Sequence, residues 1–237
     1  MIYIDGASNT FGDELPFPET QAWPILLGHR LNKKTFNNAK KGKSNQHIIF
    51  DTINYCSTHC PELVIIAFAP ISRKFFIRRE NNYPIDILIV KSDSPFHNTY
   101  EFKEFHKLLF KYWSNHLYDA WMFLQQVIML QSFLKSQSIP YLLINSDTQE
   151  DVKNLLSIST QDSDIKKKLL DAFDFMDDNQ ILTIESQLND LYHLIDHKNY
   201  YDFDWHFKKL LNYGRHPTAA QHVELADFIF NILNDTN

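Results

Sequence analysis

The sequence predicts an α/β fold, a three-layer α/β/α sandwich around a mainly parallel sheet. Short apolar runs alternate with helical stretches along the 237 residues, the pattern that βαβ units leave in a chain. The clearest of these runs, Leu63-Val-Ile-Ile-Ala67, is continuous rather than alternating, as in a strand covered on both faces. Hydrophobic residues make up 44% and include 19 Phe, enough for a substantial core.

Met1 to Ile4 reads as the first strand and ends in Asp5-Gly6-Ala7-Ser8. A helix follows from Trp23 to Leu31, with Pro24 tolerated in its first turn, then a short strand over Thr35 to Ala39. Ser44 is placed to cap a helix running to His59, which Pro61 ends. After the strand at Leu63 to Ala67, Ile85 to Val90 reads as an extra or edge strand. Tyr100 to Gln137 has helical rhythm and divides near Ser114-Asn115, with Leu117, Trp121, Leu124 and Ile128 on one face. Tyr141 to Ile144 is the last strong strand and turns out through Asn145-Ser146-Asp147. Residues 148–198 are polar and helical in rhythm, an insertion, lid or partner surface within a single domain of residues 1–237. The chain closes with a helix opened by His216 and Pro217, with Ala219, Val223, Ala226, Phe230 and Leu233 inward.

The net charge of −6 argues against broad nucleic-acid binding through phosphates. The basic clusters at Lys33-Lys34, Lys40-Lys41-Lys43 and Lys166-Lys167-Lys168 read as solvated surface. Cys56 and Cys60, with His59 beside them, fall short of a four-ligand zinc site and read as free buried thiols in a reducing compartment. No apolar run reaches the ~18 residues of a membrane span, and no signal-peptide pattern precedes the first strand. The expectation is a cytoplasmic protein without metal, cofactor, nucleic-acid or membrane partner.

There are only five glycines, and four stand beside residues with chemistry: Gly6 and Gly12 flank Ser8, Gly42 precedes Ser44-Asn45, and Gly214 precedes His216. Glycine is hardest to replace at positive φ or where another group approaches the backbone. In an open α/β sheet, ligands bind beyond the carboxyl ends of the strands. The segments holding Ser8, Gly42, Arg73 and Asn145 all follow strands, and the loop before the last helix can bring His216 to the same rim. A serine needs a base, and a histidine at a helix start, where imidazolium is disfavoured, can serve. Backbone N–H groups at Ser8 and Gly42 are candidate oxyanion donors.

In order and placement these residues resemble the SGNH, or GDSL-type, hydrolase family. Gly6-Ala7-Ser8-Asn9-Thr10-Phe11-Gly12 is similar to its first block, Gly42-Lys43-Ser44-Asn45 to its second, and Arg215-His216-Pro217-Thr218 with Gln221-His222 to its last. Trp23-Pro24 and Ile71-Ser72-Arg73 resemble small members common in bacteriophage and environmental genomes. The resemblance spans the chain except 148–198. It implies a flavodoxin-like sheet and an ester hydrolase with Ser8 as nucleophile, His216 as base and Gly42 in the oxyanion hole. The substrate would be an acyl or acetyl ester, with a carbohydrate ester as one option. A phage origin would place the protein in the host cytoplasm or the virion.

Three departures stand out. Ala69 occupies the position of the family's third-block Asn, Tyr213 that of the Asp three residues before the histidine, and Ala7 that of the first-block Asp. Substitutes within the chain are Asn45 as donor, Asp202 or Asp204 as orienting carboxylate, and Arg73 for substrate or charge. The alternative is a decayed hydrolase fold kept as a binding or structural protein, with Trp113, Trp121 or Trp205 in a partner or sugar surface and 148–198 available to a protein partner. A nucleotide-binding flavodoxin-like domain fits less well, because no Gly-x-Gly-x-x-Gly or P-loop pattern follows a strand.

Overall fold

The computed structural model describes residues 1–77, 84–88, 104, 108, 116–145, 149–170, 176–203 and 216–235. Its strands are β1 (Ile2–Asp5), β2 (Thr35–Asn37), β3 (Leu63–Ala67), β4 (Arg73–Ile77), β5 (Pro84–Leu88), β6 (Tyr141–Asn145) and β7 (Tyr200–Asp202). The helices are α1 (Ser8–Phe11), α2 (Pro18–Gln21), α3 (Trp23–Leu31), α4 (Asn45–Cys56), α5 (His116–Ser136), α6 (Gln149–Leu155), α7 (Ser163–Leu170), α8 (Asp178–His193) and α9 (Ala219–Asp235).

Five strands form one sheet in the order β2-β1-β3-β6-β7, every pair parallel. This is the doubly wound order in which the chain starts near the middle and reverses direction beside β1. Strand alternation divides the core in two. Ile2, Ile4, Ile65, Ala67, Leu142 and Ile144 face Trp23 and Leu27 of α3 and Leu225, Ala226 and Ile229 of α9. Tyr3, Val64, Ile66 and Leu143 face the other layer, built from α4, α5, α6 and α8. The sandwich predicted from the pattern is therefore present, and α6 to α8 fall within residues 148–198.

The apolar run at Ile85 forms the extra strand β5, which pairs antiparallel with β4 in a sheet separate from the main one. Several local expectations shift. The final strand, β7, comes from Tyr200-Tyr201-Asp202, too short to show a pattern of its own. In α9 the buried stripe is His222, Leu225, Ala226 and Ile229, while Val223 is exposed, so the helix is rotated from the expected phase. In α5 the inward residues include Ala120, Phe123, Leu124, Val127 and Leu130, and Trp121 is 40% exposed. Both helices hold enough apolar residues for two overlapping stripes, so periodicity alone does not choose. Cys56 is buried but Cys60 is exposed, beyond the end of α4. The expected break at Ser114-Asn115 lies outside the described residues.

Candidate active site

Asp5 ends β1 and is sealed from water, yet its carboxylate is surrounded by donors. Lys43 Nζ reaches both of its oxygens at 2.8 Å, Gly6 N–H donates to Oδ1 at 2.7 Å, and Tyr3 O–H and Asn38 Nδ2 donate to Oδ2 at 2.9 Å. Lys43, expected on a solvated face, is 1% exposed and also meets Asp51 Oδ2 at 2.7 Å and the Asn38 carbonyl at 3.2 Å. A buried ammonium persists only with such partners. Burial pushes the Asp5 carboxyl up to about 6 against the pull of Lys43.

This buried pair joins the two loops singled out by their glycines. From Asp5 the chain turns through Gly6, whose Cα is crowded: an added Cβ would lie 2.2 Å from Thr10 Oγ1 and 2.9 Å from the Ala67 carbonyl. Ser8 then opens α1, and Gly12 caps it in the left-handed region at φ 87°. One residue before Lys43, Gly42 has φ 81° and nothing within 4 Å of a Cβ position. Its glycine is required by the turn, and open space adjoins it. Among the described residues neither the Ser8 nor the Gly42 amide N–H has a hydrogen-bond partner. Arg73, at the start of β4, donates from Nη1 to the Lys43 carbonyl at 2.8 Å and so braces the Gly42 loop.

Asn45 is anchored to the segment leaving β3. Its Nδ2 donates to the Ala69 carbonyl at 2.8 Å and its Oδ1 accepts the Ala69 N–H at 2.7 Å, all of it buried. Oδ1 and one N–H of the amide are thereby committed to the segment leaving β3. Asp202 accepts from Asn145 Nδ2 at 3.0 Å and pairs with Lys153 at 2.8 Å on the β7 edge. Asp204, Tyr213 and Gly214 lie outside the described residues, as do Trp113 and Trp205.

His216 stands against the loop that leaves α1. Its N–H donates to Glu14 Oε2 at 3.3 Å, Nδ1 lies 3.4 Å from Glu14 Oε1, and Nε2 lies 3.7 Å from Asp13 Oδ2. The Asp13 amide in turn donates to the Ser8 carbonyl at 3.0 Å, and Lys41 pairs with the Asp13 side chain. The histidine near the end of the chain and the serine near its start therefore share one rim of the sheet. Among the described residues the Ser8 hydroxyl makes no hydrogen bond, to His216 or otherwise. One turn on, His222 is buried and accepts the Trp23 N–H on Nδ1 at 3.1 Å; burial, with His216 nearby, lowers it to about 4. Sequence reasoning missed Asp5, Lys43, Asp13 and Glu14 because their roles depend on partners distant along the chain.

Among the described residues no group of His, Cys, Asp and Glu could hold a metal ion, and no helix is long and apolar enough to cross a membrane. A cavity of about 510 Å³ lies at the opposite end of the strands, between Lys33, Glu62, Pro140 and Asn199, away from Ser8.

No protein-family profile and no curated protein matches the chain. Among solved structures, TesA aligns over 98% of this chain and 97% of its own, at 10% identity and a TM-score of 0.50. Two proteins described as lipolytic members of the G-D-S-L family, from Desulfitobacterium hafniense and Veillonella parvula, align over 98% of this chain. They are covered over 98% and 97% of their own lengths, each at 13% identity and a TM-score of 0.47. Identities this low speak to the fold alone. With its all-parallel sheet in the order β2-β1-β3-β6-β7 and helices on both faces, the chain has a three-layer α/β/α fold, and it is in this fold that it is similar to TesA.

Proposed function

We propose that the protein is a serine ester hydrolase, with Ser8 as nucleophile and His216 as its base. The observation that carries this reading is the docking of His216 on the Asp13-Glu14 turn, whose amide is bonded to the Ser8 carbonyl. In the proposed reaction Ser8 Oγ attacks the ester carbonyl while a His216 ring nitrogen takes the hydroxyl proton. The oxyanion so formed accepts from the Ser8 and Gly42 amides. Collapse expels the alcohol, protonated by His216, and leaves an acyl-Ser8 ester. Water then repeats the attack, releasing the acid and restoring Ser8.

The unengaged amide N–H groups suit this role, because oxyanion donors must be free before the substrate arrives. Ala69 supplies no side-chain donor, so the proposed hole rests on main chain alone. A missing donor of that kind costs about 3 kcal/mol of transition-state stabilisation, which predicts a slow enzyme. The preferred substrates are acyl or acetyl esters, those of carbohydrates included, and open space beside Gly42 gives the acyl carbonyl access.

The test is labelling of the intact protein by a fluorophosphonate, read by mass spectrometry. Ser8 should carry the label, and both labelling and turnover of a simple aryl ester should vanish in Ser8→Ala with the melting temperature unchanged. A folded wild-type protein that neither labels nor turns over the ester refutes the hydrolase reading and leaves a binding protein on a hydrolase scaffold.

A further inference from the structure

We infer that Glu14 is the positioning carboxylate of His216, supplied from the loop after α1 in place of the one that Tyr213 does not provide. The inference rests on the Ser8–His216 reading above and adds a third residue to it. Both Glu14 oxygens face residue 216: Oε2 accepts its main-chain N–H at 3.3 Å, and Oε1 lies 3.4 Å from ring Nδ1. A carboxylate on Nδ1 holds the proton there and leaves Nε2 with the lone pair a base needs.

Three further features agree. Glu14 has φ 65°, in the left-handed region that side-chain-bearing residues seldom adopt. That conformation costs of order 1 kcal/mol and marks a residue held by its surroundings. Next, α9 carries no acidic residue in its first turn, and Glu14 brings a carboxylate to residue 216, three positions before that helix. Finally, the other carboxylate at the ring, Asp13, is already paired with Lys41 and lies farther away, 3.7 Å from Nε2. The 3.4 Å Nδ1 contact is an ion-pair separation and not a hydrogen bond, so among the described residues Nδ1 is a buried nitrogen without a hydrogen-bond partner; Glu14 is 54% exposed and the His216 side chain 23% exposed. Its effect is therefore smaller than that of a buried triad aspartate, and ligand binding would tighten it.

The experiment compares the full-length wild type with Glu14→Ala and Glu14→Gln, using nitrogen NMR of the histidine rings, ester turnover and fluorophosphonate labelling. The wild-type His216 ring should hold its proton on Nδ1, and Glu14→Ala should release it to a mixture of tautomers. Turnover should fall in kcat rather than KM, by about tenfold to a hundredfold, because ring orientation matters most in the transition state. Glu14→Gln retains an acceptor and should recover part of both signals. Equal melting temperatures exclude an unfolded variant. An unchanged His216 tautomer in Glu14→Ala overturns the assignment, and if Ser8 still labels at the wild-type rate the Ser8–His216 reading survives without Glu14. Should the wild type itself fail to label, the hydrolase reading falls, while the ring spectra still decide whether Glu14 governs His216.

Discussion

Asn45 and Ala69 hold each other by a reciprocal pair of hydrogen bonds, the side-chain amide of one against the main chain of the other, at 2.8 and 2.7 Å. The pair ties the first residue of α4 to the segment that leaves β3, and with it the Gly42 loop to the centre of the sheet. Asn45→Ala should strand a buried N–H and a buried carbonyl at Ala69. Each such group costs about 1–3 kcal/mol, so urea unfolding should show a loss of roughly 2–4 kcal/mol. Asn45→Asp can make both bonds only with its carboxyl protonated, O–H to the Ala69 carbonyl and the other oxygen to the Ala69 N–H, so its loss should be larger at pH 7 than at about pH 4.

Lys43→Met should be more damaging, because it leaves Asp5 buried without its cation. Breaking a buried pair from one side costs about 3–5 kcal/mol at neutral pH. Asp5 already sits at about 6 in the fold against 3.8 as a free carboxyl. Between those values the folded state binds the extra proton, so acidification favours folding through this group. Denaturation midpoints should accordingly show the Lys43→Met defect shrinking from pH 7 towards about pH 5. A defect independent of pH would mean that Asp5 stays neutral or finds another partner.

His222 works in the opposite sense. Burial lowers it from 6.5 to about 4, so the unfolded chain takes up its proton first on acidification. The stability it contributes is complete above about pH 6.5 and is lost as pH falls towards about 4, up to about 3 kcal/mol in all. Asn can present Oδ1 where the imidazole presents Nδ1 to the Trp23 amide. His222→Asn should thus be destabilised at pH 7 by packing alone, and its melting temperature should fall less than the wild type's between pH 7 and about pH 5. Parallel curves for the two proteins would assign the acid sensitivity to other groups.

The sequence disclosed most where the signal is local. Leu63–Ala67 and Trp23–Leu31 have the predicted bounds, and Ser44 caps α4 by accepting the His47 N–H at 3.2 Å. It disclosed less where the outcome is decided by packing, as in the rotation of α9 that turns Val223 outward and His222 inward. Lys43 is the clearest failure. It sits in a run of lysines, which reads as solvated surface, and only the fold brings Asp5 and Asp51 to its ammonium. The same holds for Glu14 and His216, which are 202 residues apart and meet at one rim. Periodicity and motif order carry no information on such pairs.

The ion pair between Asp5 and Lys43 has one more consequence. Asp5 lies three residues before the Ser8 amide and Lys43 one residue after the Gly42 amide, so a single sealed contact spans the bases of both loops. In the proposed reaction two N–H dipoles anchored in this way would be preorganised, their spacing set during folding and needing no adjustment as the oxyanion forms. The lysine that escapes water here acts as a rivet, and wear in that rivet would register first as a widening gap between two main-chain dipoles, before the sheet itself gave way.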